Sequence, residues 1–260
     1  MFYASLETAP ERALRSLRQT GCALLAPEGL FALSGLDRSA LSPLEQAWNH
    51  LPPDEHLRDG GRYRFRRHSC FTLERAPDAL APVPHRAHYQ SLDYNALHGG
   101  IERWFSPIEP TVLAAPEWST LVTSIGRAFF ALREAERWYV EAHQFRIDTA
   151  AGIGRPTPEG AHRDGVDFVA VILIGRANLK GGETRVFEAD GPHGVRFTMR
   201  DPWTTLLLDD ARVIHETSPV QPLEPGTAFR DTLVLTYREG AFQSLVRQPL
   251  PSSASSTGFT

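Results

Sequence analysis

Two ionisable side chains two residues apart, His162 and Asp164, stand just ahead of an apolar run, Phe168-Val-Ala-Val-Ile-Leu-Ile174. On an extended segment, residues i and i+2 project to the same side, so the imidazole and the carboxylate converge on one point. A mononuclear ferrous site for oxygen chemistry takes two His and one carboxylate on one triangular face and leaves the opposite positions open. His162 and Asp164 supply two of these ligands. His215, 51 residues past Asp164 in Arg212-Val-Ile-His-Glu216, is the candidate third, carried on a strand that returns after the intervening turns. A His-x-Asp tripeptide alone is common and usually an ordinary surface pair; the strand-borne histidine downstream is what gives it meaning.

An oxygenase of this kind needs an electron-donating cosubstrate. The distal carboxylate of 2-oxoglutarate is matched by a planar guanidinium through paired, charge-assisted hydrogen bonds. Arg230 lies 15 residues beyond His215 at the start of Asp231-Thr-Leu-Val-Leu-Thr-Tyr237, and Thr232, on the same side of the strand, offers a hydroxyl. Arginine carries nearly all the positive charge of this chain, so one Arg alone says little; its place in the constellation singles Arg230 out. The cofactors expected are therefore Fe(II), 2-oxoglutarate and O2. Lys180 is the only lysine and sits in a turn-like setting, which disfavours Schiff-base chemistry.

These side chains need strands to hold them. Segments 139–147, 166–174, 184–188, 195–199, 204–208, 212–216 and 232–237 read as strands, separated by Gly-, Asp- and Pro-bearing turns, and this spacing predicts a β-sandwich or small barrel. Leu121, Ile125, Phe129 and Leu132 recur at helical spacing and predict one long amphipathic helix over 117–137, able to cover a sheet. The N-terminal part predicts a helix over 10–19, a strand over 22–25, and a helix over 42–50 with Pro43 in its first turn. Period two over 62–67 predicts a strand with Tyr63 and Phe65 on one side and Arg64 and Arg66 on the other. One domain over 1–250 is expected, with a helix-and-strand part at 1–137 and a β core at 138–240. The Ser-rich tail 251–260 is expected to be disordered.

Composition agrees with a catalyst of small molecules. The chain has 260 residues, 42% hydrophobic and 22% charged, with a net charge of -4 and a pI near 6.2. No basic field favours nucleic acid or an anionic membrane. The Arg62–Arg67 strip interleaves aromatics as a nucleic-acid surface would, but the acidic balance opposes that reading. No apolar run approaches the roughly 20 residues needed to span a bilayer, no leader is evident, and Cys22 and Cys70 are isolated, so a cytoplasmic protein is expected.

Taken together, His162-Arg-Asp-Gly-Val-Asp-Phe-Val169, Gly181-Gly-Glu-Thr184, Val213-Ile-His-Glu216 and Arg230-Asp-Thr-Leu-Val-Leu-Thr236 resemble the bacterial Fe(II)- and 2-oxoglutarate-dependent dioxygenases typified by L-isoleucine 4-hydroxylase. The likeness is strongest over 138–240 and extends more faintly to 63–68 and 95–107. It implies a mainly β fold with flanking helices, a double-stranded β-helix (jelly roll, cupin-like barrel), and hydroxylation of the side chain of a free L-amino acid. A zwitterionic substrate needs both charges satisfied; Asp167 is the candidate for the ammonium, and Arg64 or Arg66 for the carboxylate. The alternatives are a metal-binding cupin-like barrel without oxygenase activity and an oxygenase acting on another small molecule. Other histidines read more plainly: His85 and His88 as loop residues, His143 as a hydrogen-bonded barrel residue, His68 and His193 as strand-edge and turn residues.

Overall fold

The computed structural model describes residues 2–77, 79–95, 97–150 and 152–245; the tail 251–260 lies outside them. In chain order the elements are β1 (Phe2–Tyr3), β2 (Leu6–Glu7), α1 (Pro10–Thr20), β3 (Cys22–Leu25), α2 (Pro27–Ser34), α3 (Arg38–Glu45), a 3-10 turn (Gln46–His50), β4 (Arg64–Glu74), β5 (Leu80–Pro82), α4 (Pro110–Leu113), α5 (Pro116–Phe130) and β6 (Arg137–Asp148). There follow β7 (Phe168–Ala177), β8 (Leu179–Gly181), β9 (Thr184–Glu188), β10 (Gly194–Phe197), β11 (Thr205–Asp209), β12 (Val213–Thr217), β13 (Val220–Pro222) and β14 (Phe229–Arg238).

Strand β14 pairs antiparallel with both β6 and β7 and forms the middle of an eight-stranded sheet in the order β2-β3-β11-β7-β14-β6-β4-β5. Its two faces meet different surroundings. Leu233, Leu235 and Tyr237 point to one side and join Phe168, Ala170, Ile172 and the α5 side chains in a core between sheet and helices. Thr232, Val234 and Thr236 alternate to the other side, where Val169, Leu173, Leu206 and Leu208 pack with Val186, Phe197 and Val213 of a four-stranded sheet, β1-β10-β9-β12. The two sheets facing each other over this second core make the double-stranded β-helix.

Helix α5 covers the outer face through Leu121, Val122, Ile125 and Phe129, none of them measurably exposed, each stabilising the fold by about 1.5–3 kcal/mol through burial. At Gly126 the helix comes so close to the sheet that a Cβ would collide with Leu73 Cδ2. The helix stops at Phe130, seven residues short of the expected end, because Arg137 already begins β6; Phe130 instead stacks on Trp138 of that strand, with ring centroids 5.1 Å apart.

The helix expected over 42–50 starts earlier, at Arg38, since Asp37 Oδ1 caps the N–H of Ala40 at 2.9 Å. Pro43 thus falls inside the helix, and 46–50 tightens into a 3-10 turn. Cys22 and Cys70 are free. Among the described residues no helix is long and apolar enough to cross a membrane.

Candidate active site

His162 precedes β7 and docks on β12, where it exchanges both backbone hydrogen bonds with His215, at 3.0 and 2.9 Å. The pairing sets the two imidazoles side by side, centroids 4.5 Å apart. Asp164, two residues on, brings Oδ1 to 3.9 Å from His162 Nε2 and Oδ2 to 3.9 Å from His215 Nε2. His162 Nδ1 donates to the Gly160 carbonyl at 3.0 Å, which leaves Nε2 bare. Burial, and then the neighbouring His162, hold His215 well below its usual pKa and therefore neutral. Two imidazole nitrogens and a carboxylate, all within 4.8 Å of one another, form a donor set that fits a divalent metal of the iron type.

The segment carrying Asp164 is held by its backbone. Asp210, completely buried, accepts the N–H groups of Asp164 at 3.0 Å, Gly165 at 2.7 Å and Val166 at 3.1 Å, a carboxyl group seated in a nest of successive donors, although burial and then the neighbouring Asp164 raise its pKa to about 7. The nest requires Gly165 at φ +77°, and the ring of Tyr94 packs where any Cβ would stand. Gln90 Nε2 donates to Asp164 Oδ1 at 3.1 Å, while its Oε1 accepts from Asn95 Nδ2 at 3.1 Å and Arg103 Nη2 at 2.9 Å. Those two donors fix which end of the amide faces Asp164.

Arg230 and Thr232 line the same cavity as the three metal-type ligands. Arg230 is 4% exposed, and among the described residues no carboxylate lies within ion-pair distance. Burial, with Arg176 next in importance, lowers its pKa to about 10. The adjacent Asp231 points to the opposite face of β14, bound by Arg146 Nε at 2.8 Å and Nη2 at 2.7 Å.

The expected substrate residues fare differently. Arg64 and Arg66 line the cavity, so it is the arginine face of β4 that is buried and the Phe65 face that is more open; such a buried pair is no nucleic-acid surface. Both guanidinium groups already have an acid: Asp54 Oδ2 lies 2.7 Å from Arg64 Nε and 3.8 Å from Arg66 Nη1. Asp167 does not line the cavity. Just ahead of β7 it turns outward, pairing with Arg133 and accepting the Glu239 N–H at 2.7 Å. His68, expected at a strand edge, is wholly buried within β4.

Gln90, Arg103, Glu141 and Asp210 also belong to the site or its support, although no motif in the sequence singled them out. Glu141 alternates with His143 and Phe145 on β6, an interior-facing pattern visible as period two; the others come from loops, where no local period marks them.

The profile of the 2OG-Fe dioxygenase family matches residues 45–236. The chain belongs to that family and is an Fe(II)- and 2-oxoglutarate-dependent oxygenase. Among solved structures it is similar to a BsmA homologue from Methylobium petroleophilum PM1, with 54% identity, coverage of 94% of this chain and 98% of the other, and a TM-score of 0.89. It is similar in fold to IDO from Bacillus thuringiensis, with 19% identity, 90% and 100% coverage and a TM-score of 0.73. It also shares its fold with the Fe(II)/α-ketoglutarate-dependent dioxygenase TqaL, with 18% identity, 90% coverage of each chain and a TM-score of 0.68. No curated protein matches the chain.

Proposed function

We propose that the protein hydroxylates the side chain of a free L-amino acid, with Fe(II) held by His162, Asp164 and His215 and the distal carboxylate of 2-oxoglutarate held by Arg230 and Thr232. Iron at this site supplies the activation of O2, coupled to decarboxylation of 2-oxoglutarate to succinate and to oxygen insertion into a substrate C–H bond. The chain supplies the cavity and the orientation of what binds in it. Val171 and Val234, paired across β7 and β14, add apolar lining suited to a hydrocarbon side chain.

The observation that carries the substrate class is the charge on the remaining wall. Besides the groups needed for metal and cosubstrate, buried Arg103 and Glu141 line the same cavity, and charges kept out of water persist where a charged partner completes them. A small zwitterion fits that requirement better than an apolar substrate. The resemblance to L-isoleucine 4-hydroxylase supports the same class. Incubating each of the twenty L-amino acids, and their N-acyl and peptide-bound forms, with enzyme, Fe(II) and 2-oxoglutarate tests it by mass spectrometry. One or more free acids should gain a single oxygen in step with succinate release. Oxidation confined to peptide-bound or unrelated small molecules would overturn the amino-acid reading and leave the oxygenase intact.

A further inference from the structure

A second cluster of ionisable groups stands on the β4 and β6 wall: His68, His88, Glu141 and His143, whose donor atoms lie within 4.8 Å of one another. Its hydrogen bonds argue against a metal. Glu141 Oε2 accepts from His68 Nε2 at 2.8 Å and from His88 Nδ1 at 2.7 Å. Ligands bound to one ion at about 2.0–2.2 Å would be held roughly 3 Å apart or more, and the nitrogens would have to be bare.

The protons can be placed one by one. A guanidinium only donates, so His143 Nδ1, 2.6 Å from Arg66 Nη2, carries the lone pair and the proton sits on Nε2, 3.7 Å from Glu141 Oε2. A carboxylate only accepts, so His68 is protonated on Nε2 and His88 on Nδ1. Burial lowers the pKa of all three imidazoles, that of His88 to about 4, so each is neutral with one proton. One oxygen of Glu141 thus faces three N–H groups. Its other oxygen, Oε1, and the bare Nε2 of His88 have no hydrogen-bond partner among the described residues, and both side chains line the cavity. Two acceptors, one of them anionic, are left open.

The donor stands beside them. His88 and Arg103 exchange both backbone hydrogen bonds, each 2.9 Å, a pairing that places their side chains on the same face. Arg103 is 2% exposed and lines the cavity. Among the described residues its one side-chain hydrogen bond runs from Nη2 to Gln90 Oε1, and no carboxylate lies within ion-pair distance. Arg64 and Arg66, by contrast, share Asp54. Through Gln90, Arg103 stands one side chain away from Asp164, close enough to the metal-type ligands for a molecule anchored there to present its side chain to them.

We propose that Arg103 binds the carboxylate and that Glu141 Oε1 with His88 Nε2 bind the ammonium of an α-amino acid substrate. This subsite rests on the amino-acid reading above and names the groups that recognise it.

The test is kinetic and uses the amino acid that the wild-type holoenzyme oxidises fastest, together with its α-amide and its N-acetyl derivative. Arg103→Met should raise KM for the free acid at least tenfold, leave KM for the amide within about twofold, and leave the 2-oxoglutarate dissociation constant, measured by calorimetry, unchanged. Glu141→Gln should abolish the preference for the free over the N-acetylated acid. Circular dichroism checks folding, and Arg103→Lys and Glu141→Asp carry the same comparison if the first pair does not fold. Wild-type KM in both Arg103 variants would overturn the subsite. So would a preference lost in Glu159→Gln, whose carboxylate lines the same cavity, but kept in both Glu141 variants. If wild-type enzyme oxidises no free amino acid, the functional reading falls and the subsite with it; if it oxidises one but the variants behave as wild type, only the subsite falls.

Discussion

Asp210 binds the backbone of Asp164 rather than its side chain: the Asp210 carboxylate accepts three consecutive N–H groups beginning with that of Asp164 at 3.0 Å. The candidate carboxylate ligand is thus aimed by a second, buried carboxylate that is itself no ligand. Removing Asp210 would strand those three donors and free the loop. Asp210→Ala should weaken Fe(II) binding about 10–100-fold, as loss of a supporting group does in metal sites generally. Asp210→Asn, which retains one acceptor oxygen, should lose less, and Asp164→Ala should lose nearly all bound metal. Competition titration against a chromogenic chelator measures all three.

Arg230 has no acid partner among the described residues, which under the proposed function leaves its guanidinium to take the far carboxylate of 2-oxoglutarate. A charged hydrogen-bonded contact of this kind contributes about 1.5–3 kcal/mol. Arg230→Ala should therefore weaken 2-oxoglutarate binding at least about tenfold while metal content stays at the wild-type level. Calorimetric titration of the cosubstrate into metal-loaded variant reads the first, and metal analysis the second.

The Glu141 cluster makes stability depend on acid. Burial alone would raise the Glu141 carboxyl, but the positive charge that His88 would carry if protonated, with the N–H groups of His68 and His88 as hydrogen-bond donors, outweighs it, and the group lies below the usual carboxylate range. Burial lowers His88 from its ordinary 6.5 to about 4, against the pull of Glu141. Both folded-state pKa values lie below their unfolded values, so both groups stabilise the fold above the unfolded pKa and lose that contribution as pH falls. The contribution of His88 should be lost as pH falls from about 6.5 to 4, with Glu141 adding to the loss below its ordinary 4.5, while Asp210, raised by burial to about 7, and Asp231, raised by burial to about 6, act with the opposite sign in the same range. The difference in melting temperature between wild type and His88→Gln should therefore shrink as pH falls from 6.5 to 4, and calorimetric scans of both proteins across that range check the sign.

Gly126 marks the closest approach of α5 to the sheet. Adding a methyl group there forces Leu73 aside and crowds Tyr237 Cε1 at 3.1 Å. Overpacking of this kind costs about 1–3 kcal/mol, which outweighs the roughly 1 kcal/mol gained by replacing Gly with Ala inside a helix. Gly126→Ala should lower the denaturation midpoint in urea, with 2-oxoglutarate affinity unchanged.

The parts of the site legible in the sequence are those whose geometry is local. His162 and Asp164 share a side because they are two apart, and Arg230 and Thr232 because β14 alternates. His215 could be placed because strand-and-turn spacing forecast its return. Asp167 was misread for the same local reason: three residues past Asp164 it stands beyond the turn at Gly165, where the chain has changed direction and Arg133, in the turn between α5 and β6, is the nearer partner. Arg103 and Gln90 were illegible because they belong to a long irregular stretch between β5 and α4. Their positions are fixed by a bridge to His88 and by contacts to Asn95 and Asp164, none of which leaves a periodic trace. The early end of α5 has a similar origin, since the apolar spacing continues to Leu132 while tertiary pairing of β6 claims the chain from Arg137.

The reciprocal backbone pair of His162 and His215 makes the same two residues a seam in the barrel. One side of the seam leads into β7 of the large sheet, the other is β12 of the small one, so a cation gripped by both rings also clasps the sheets together at the mouth. The amide protons of these two residues are each buried in the other's carbonyl, and their exchange with solvent reports how often the clasp opens. Deuterium uptake at 162 and 215 should be slow in metal-loaded protein and faster after chelation, while the amides of Leu233 and Leu235 in the middle of β14 keep their pace. Metal loss would then be felt as a loosening of the entrance well before it is felt as unfolding.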